Sequence, residues 1–365
     1  MIATQPTASI QLSKSVERTE ADFGLGIRER AQFGWAVTQP RPVGKLTAAP
    51  SQFDLTDFYT SGSGTTSPTS ALPFGSFEGT PTWTPSGVTV SSNTALFTGG
   101  RASLEVSGTG TLTSPKFNPA DLPAVGTTLN FHVYVPDAAP DPFSGTIEVR
   151  LRVPRALLDA SIGKVDLSAA PQGRWVSVAL RLSDKVREAL FENDDDATFK
   201  FVLTLPAGQH ILIDSLRFGG RLISAPDARC KLGVFNSRDY FLCADDTTFS
   251  HAREQCLAVK ADLVTIDSKA EDDFLTSRML ESAFIGATDE TIEGDWYWKS
   301  TNTRFWAGGL FGRVVNGSYA NWKFGEPSNG LLVERDCGVK APLLLLGKWE
   351  ATSCGSSKAF ICELP

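Results

Sequence analysis

Glu326, Pro327, Ser328 and Asn329, within the stretch GEPSNG from Gly325 to Gly330, set a carboxylate, a chain-bending imino acid, a hydroxyl and an amide side by side. Short oxygen-bearing side chains on a Pro-restrained bend are what a hard cation such as calcium requires, since it takes roughly six to eight oxygen ligands. The same composition also makes an ordinary polar surface turn. Both readings stand on these residues alone.

The six cysteines are the second chemical signal. All lie between Cys230 and Cys362, and the first 229 residues carry none. A zinc-thiolate site would want close pairs such as C-x-x-C, whereas the tightest spacing here is Cys354 to Cys362. An even count packed into the final third favours disulfides, and with them an oxidising, extracellular compartment at the cell surface or beyond it. The opening MIATQPTASIQLSKSVERTE has no apolar core, so no signal peptide is visible. Either a leader has been removed and a start Met added, or export takes another route, or the compartment is not an oxidising one.

Nucleophilic and redox chemistry find little support. Three histidines exist, His132, His210 and His251, and none sits in a nucleophile, Walker or zinc-protease motif. GLGIR at Gly24 lacks the strand and third glycine of a dinucleotide loop. The net charge of −7 offers no basic stripe for nucleic acid, and no apolar run reaches the ~18 residues of a membrane span. The expectation is a protein that is not an enzyme.

These side chains need elements to hold them. A length of 365 residues suits two domains. Residues 1–71 read as an N-terminal arm with scattered aromatics followed by a Pro/Ser/Gly-rich linker, TSGSGTTSPTS included. From 72 to 222, period-two alternation recurs in ASLEV (102–106), LNFHVYV (129–135), TIEVRLRV (146–153), WVSVALRL (175–182), FKFVL (199–203) and ILIDSLRF (211–218). Each strand has one apolar face to cover, which predicts an all-β sandwich. The order SFEG, GGRASLEV, ILIDSLRF resembles jelly-roll carbohydrate-binding modules of the galactose-binding-like fold. That resemblance implies either a glycan site, with Trp83 and Trp175 as the aromatic platforms to test, or a supporting spacer.

Residues 229–365 read differently. TTFSHAREQCLAVKA places Phe249, Ala252 and Cys256 on one helical face, with a Thr available as cap. SKAEDDFLTSRM begins with Ser268 and Glu271 in capping-box spacing and turns Phe274 inward. ADLVTI lies between the helices, and FIGA, GDWYW, GKWEATSC and KAFICEL follow as short strands among long loops, an α+β pattern.

The succession Cys243, Phe249, Ala252, Cys256, DLVTID, FIGA, TDETIEGDWYW, NWKFGEPSNG, ERDC, GKWEATSC, AFICE resembles a C-type lectin-like domain from Cys230 to Pro365. Six cysteines alone permit fifteen pairings; the resemblance implies Cys230–Cys243, Cys256–Cys362 and Cys337–Cys354. It also implies buried tryptophans at Trp298, Trp322 and Trp349. Sugar-binding members hold calcium with a Glu-Pro-Asn or Gln-Pro-Asp triplet, a downstream Glu and an Asn-Asp pair after a Trp. Glu326 and Pro327 match, and Glu334 can serve as the downstream acid. Ser328 stands where Asn or Asp is expected, and Glu350 and Ala351 replace the Asn-Asp pair, which weakens this position. An accessory calcium position is better kept, with Asp289 and Glu293, and with Asn329, Glu334 and Asp336 near the remaining ligand places. The implied function is extracellular, calcium-assisted glycan recognition through Glu326, Ser328, Asn329, Glu334 and Glu350. The alternative is a calcium-independent, protein-binding adhesin or surface-assembly subunit.

Overall fold

The computed structural model describes residues 53–54 (backbone only), 70–77, 83–139, 143–329 and 334–365. Of the arm and linker expected over residues 1–71, all but 53–54 and 70–71 lie outside the described residues. Residues 51–365 form one compact unit.

The first sheet holds β1 (Phe53–Asp54), β2 (Ser70–Ala71), β3 (Thr84–Asn93), β4 (Ser103–Thr113), β5 (Thr128–Val135), β6 (Thr146–Val153), β7 (Leu158–Asp166), β8 (Arg174–Arg181), β9 (Thr198–Thr204) and β10 (His210–Gly219). Within the stretch read as linker, β1 pairs with β8 and β2 with β10. Pairing of this kind uses only backbone groups, which Ser- and Thr-rich composition does not forbid.

The sheet order is β1-β8-β5-β10-β4-β9-β6-β7, with β3 on β4 and β2 on β10. One strand joins the two halves. Leu104–Ser107 of β4 pair with β10, and Gly110–Thr113 pair with β9, so the sheet curls over on itself. The alternating residues Leu129, Phe131 and Val133 of β5, Ile147, Val149 and Leu151 of β6, and Phe199, Phe201 and Leu203 of β9 are all buried between the halves. Phe131 meets Phe201 edge-on at 5.3 Å. Each such side chain contributes roughly 1.5–3 kcal/mol on burial. The expected two facing layers are thus built from one continuous, barrel-like sheet.

Trp83 and Trp175 are not platforms. Trp83 donates its indole N–H to the Phe74 carbonyl at 3.2 Å and stacks on Phe77, and Trp175 is buried beside Tyr134. His132 is structural too. Its Nδ1 lies 2.7 Å from Thr98 Oγ1, and burial, aided by Arg217, pushes its pKa down to about 4.

The second sheet contains β11 (Cys230–Phe235), β12 (Arg238–Thr247), β13 (Asp262–Leu263), β14 (Ala283–Thr288), β15 (Asp295–Trp298), β16 (Thr303–Ala307), β17 (Arg313–Val314), β18 (Cys337–Lys340), β19 (Trp349–Thr352) and β20 (Lys358–Glu363). Among the described residues the α-helices are α1 (Asp184–Ala189), α2 (Phe249–Ala258) and α3 (Lys269–Arg278). All three expected disulfides are present: Cys230–Cys243, Cys256–Cys362 and Cys337–Cys354. Helix α2 buries Phe249, Ala252 and Cys256 as its periodicity requires, but Thr248 at its N-cap makes no side-chain cap bond. Ser268 does cap α3, by accepting from Glu271 N–H. The Glu271 carboxylate then turns to Asp267 N–H and the Tyr240 hydroxyl, so the expected capping box is only half made.

The two sheets share one apolar cluster that runs from Leu72 to Leu364. At their junction Arg187 of α1 donates to Asp239 of β12 at 2.7 Å, both side chains buried. Arg221 also reaches Asp239, and donates to the Pro365 carbonyl at 3.1 Å. Glu188 accepts from Val234 N–H and from Arg278, and Phe191 packs edge-on against Phe241 at 5.2 Å.

A buried charge stripped of its partner costs about 3–5 kcal/mol, whereas an apolar replacement of the whole pair is often near neutral. Asp239→Ala is therefore expected to lose about that much unfolding free energy in urea. The double variant Arg187→Met/Asp239→Leu is expected to lose much less. Equal losses in the two variants would show that the ion pair is not what the junction depends on.

Candidate functional site

The floor beneath the GEPSNG loop is aromatic. Trp296, Trp298, Phe305 and Trp349 are buried, and half-buried Trp322 lies edge-on to Trp296 at 4.7 Å and to Trp349 at 5.8 Å. Trp322 and Trp349 form an isolated parallel bridge. Trp349 N–H donates to Asn321 O, and Lys323 N–H to Trp349 O.

One carboxylate holds this floor in place. Asp272, in the first turn of α3, accepts at Oδ1 from Lys340 Nζ at 2.7 Å and from Trp349 Nε1 at 2.8 Å. Its Oδ2 accepts from the Tyr319 hydroxyl at 3.1 Å and from Asn321 Nδ2. Lys340 is fully buried and also donates to Gly347 O. Burial pushes the Lys340 pKa down, and the Asp272 charge works against that.

Above the floor, Glu326–Pro327 is a cis peptide. The Glu326 carboxylate accepts from Ser328 N–H at 2.9 Å, from the Ser328 hydroxyl at 3.1 Å and from Ala351 N–H at 3.1 Å. Glu350 takes Lys323 Nζ at 2.7 Å. That contact, with the Glu350 charge, raises the Lys323 pKa. Asn329 donates to Glu334 at 3.1 Å and accepts from Arg335 N–H at 2.8 Å. The ligand set implied by resemblance is thus divided among protein donors. Three hydrogens already point at Glu326, and an ammonium group covers Glu350. These residues do not fit a calcium ion as they stand.

The accessory cluster is the reverse case. Carboxylate oxygens of Glu293, Glu334 and Asp336 lie within 4.8 Å of one another. Asp289 N–H donates to Asp336 O at 3.1 Å, which brings a fourth acid alongside. Asp289 is buried. Its Oδ2 accepts from Gly294 N–H at 3.0 Å, and a positive φ at Gly294 turns that N–H toward it. Asp289 Oδ1 and Asp336 Oδ1 are both buried without a hydrogen-bond partner. Burial, reinforced by Glu293 and Asp336 and opposed by Gly294 N–H, pushes the Asp289 pKa up to about 7. Burial and then Glu334, Glu293 and Glu290 raise Asp336. Crowded like charges with unused oxygens fit a hard divalent cation. Glu290 also lies near Cys337 and Cys354, but those sulfurs form a disulfide and are not available as ligands.

The structure brings Glu293, Glu334 and Asp336 together with Asp289 alongside, and sets against Glu326 and Glu350 protein donors that sequence reasoning missed. Lys323 carried a usable signal, because it lies within NWKFGEPSNG, three residues before Glu326. Ala351 N–H carried none, since any residue there offers the same group.

Residues 245–364 match the family model described as Lectin C-type domain. Over 133 residues the chain is 31% identical to C-type lectin domain family 4 member E of Mus musculus, covering 36% of this chain and 57% of that protein. It is 32% identical to hepatic lectin of Gallus gallus, covering 36% and 56%. The chain thus spans a little over half the length of these curated relatives. Among solved structures, the mouse scavenger receptor C-type lectin carbohydrate-recognition domain aligns at 28% identity with a TM-score of 0.29, covering 36% of this chain and 91% of that one.

The acid cluster sets a pH dependence. With its pKa raised from 3.8 to about 7, Asp289 holds a proton in the folded state that the unfolded chain has released, so its contribution to stability declines as pH climbs through that window. In chelator at pH 8, Asp289→Asn is expected to be more stable than the parent by about 1–3 kcal/mol. Near pH 4 the difference should shrink toward zero. Parallel pH profiles for the two proteins in urea denaturation would refute this assignment.

Proposed function

We propose, on the premise that residues 245–364 are a C-type lectin domain, that this chain is a non-catalytic extracellular recognition protein that binds carbohydrate. Relatives described as lectins support a carbohydrate-binding role at the level of the family. The three disulfides fit an oxidising compartment, and among the described residues no helix is long and apolar enough to cross a membrane. The curled first sheet, read as a jelly-roll module of the galactose-binding-like type, serves as its support.

Calcium belongs to the accessory cluster in this reading. The observation that carries it is the pair of buried, partnerless oxygens on Asp289 and Asp336 beside Glu293 and Glu334. Those four carboxylates would hold the ion, which when bound supplies positive charge and fixes the loop carrying Glu334. Glu326 is braced by Ser328 and Ala351 instead, so the sugar is met by hydrogen-bonding groups at the loop surface: Ser328, Asn329 and the Lys323–Glu350 pair. The second reading, a calcium-independent protein-binding adhesin, draws on one feature. Phe311 and Phe324 stand fully exposed on segments beside this loop, where the turn at Gly309 approaches Pro327 O.

Calcium in large excess over its dissociation constant is expected to stabilise the parent by about 2–3 kcal/mol and to raise its melting temperature by several degrees. Asp289→Asn and Glu293→Gln should each abolish that rise. On a glycan array, binding is expected to fall when Ser328 or Glu350 is changed to Ala, and to weaken in EDTA without vanishing. No glycan signal under either condition, alongside tight binding of a protein partner that Phe324→Ala removes, would favour the adhesin reading.

A further inference from the structure

Lys340 of β18 has a side chain with no access to solvent, and neither oxygen-rich cluster uses it. Lysine is almost never fully buried unless paired, and a buried amine relieved of its proton is a nucleophile. Burial weakens its hold on that proton, against the pull of the Asp272 charge. The Asp272 carboxylate, at 2.7 Å from Nζ, is placed to receive it. Lys340 faces Trp349 across the β18–β19 pair, and Asn321 O accepts from Trp349 N–H, so these three segments run side by side.

The electrophile is the side-chain amide of Asn321. While Asp272 Oδ1 holds Lys340 Nζ, Asp272 Oδ2 holds Asn321 Nδ2. The two nitrogens share a second acceptor as well, since Gly347 O takes Lys340 Nζ at 3.1 Å and Asn321 Nδ2 at 3.4 Å. At the other end of the amide, Asn321 Oδ1 accepts from Lys348 Nζ at 2.6 Å. An ammonium on a carbonyl oxygen draws electron density from the carbon and stabilises the oxyanion that forms when that carbon is attacked. An ion pair accounts for Lys340 and Asp272 alone. It does not account for an amide whose nitrogen lies on the same carboxylate as the amine and whose oxygen carries a second lysine. The fully buried Trp349 ring, which donates to Asp272 Oδ1, helps keep water from competing as the nucleophile.

We propose that the chain joins Lys340 to Asn321 through an isopeptide bond, with Asp272 as the proton carrier. Asp272 Oδ1 takes a proton from the Lys340 ammonium, and the free amine adds to Asn321 Cγ. Lys348 stabilises the oxyanion at Oδ1. Asp272 passes its proton to Nδ2, the Cγ–Nδ2 bond breaks, and the surplus proton on the new amide nitrogen departs with the ammonia as ammonium. One C–N bond replaces another, charge is conserved, and neither oxidant nor water is consumed. A buried ion pair gives way to a neutral amide, which needs less compensation in the interior. The bond ties β18 to the segment leading into the Glu326 loop.

Intact-mass spectrometry of the full chain, folded near neutral pH and then reduced, tests this. The parent is expected to weigh about 17 Da less than its sequence, the mass of one ammonia. Proteolysis should release one branched peptide that joins the Asn321 and Lys340 segments. Lys340→Arg keeps a cation on Asp272 but removes the nucleophile, so it is expected to fold and to show the full mass. Its melting temperature should fall several degrees below that of the parent. Asp272→Asn should also keep the full mass. In a time course after refolding, Lys348→Met should reach the parent's final mass at least about tenfold more slowly. A parent of full mass in which Lys340 remains an ordinary trypsin site would overturn the proposal. So would a deficit that Lys340→Arg retains, since asparagine cyclisation elsewhere would then be its source.

Discussion

The carboxylate of Asp272 is the constraint on which the loop surface around Glu326 depends. It lies in the first turn of α3, near the helix end whose free N–H groups favour negative charge, and four donors converge on it. Those donors come from Tyr319, Asn321, Lys340 and Trp349, so one buried charge ties a helix to the long loop and to β18 and β19. Lys340 could not be held charged inside the domain without this partner, and Trp349 would have a buried indole N–H to satisfy elsewhere. The positions of Asn321 and Trp349 then set where Lys323, Glu326 and Glu350 stand above the floor.

Two oxygen-rich clusters rest on that scaffold in opposite electrostatic states. Around Glu326, the backbone N–H of Ala351 and both groups of Ser328 complete the carboxylate's coordination, and Lys323 neutralises Glu350. Around Asp289 the fold gathers acids and supplies few donors, Gly294 N–H to Asp289 and the Asn329 amide to Glu334. Burying uncompensated negative charge is unfavourable, and the raised pKa of Asp289 expresses that cost. The first cluster is a finished piece of protein structure, while the second is a demand for positive charge.

Much of the fold was legible in the sequence where side chains alternate between a core and solvent. β6 and β9 follow their period-two patterns and α2 buries the face its spacing indicated, whereas β5 is buried on both faces from Leu129 to Val133. β3 and β7 went unread because both run largely exposed, and β3 carries Pro85 and Gly87, so neither shows a clean apolar stripe. Helix α1 is only six residues long, too short to establish a period. Trp83 and Trp175 were candidates for exposed platforms because residue type reveals a large apolar ring but not which surface will cover it.

The sequence by itself determined which oxygens and sulfurs were available, the strand-rich first part, and through its order of motifs the disulfide-bridged α+β scaffold with the three pairings the structure contains. Only the tertiary structure decided which carboxylates would be satisfied. One of the N–H groups on Glu326 comes from Ala351, 25 residues away, and Glu334 and Asp336 reach the neighbourhood of Asp289 and Glu293 from a separate loop. Periodicity and propensity are local properties of the chain, whereas the charge state of a buried group is fixed by whatever the fold brings within a few ångströms of it.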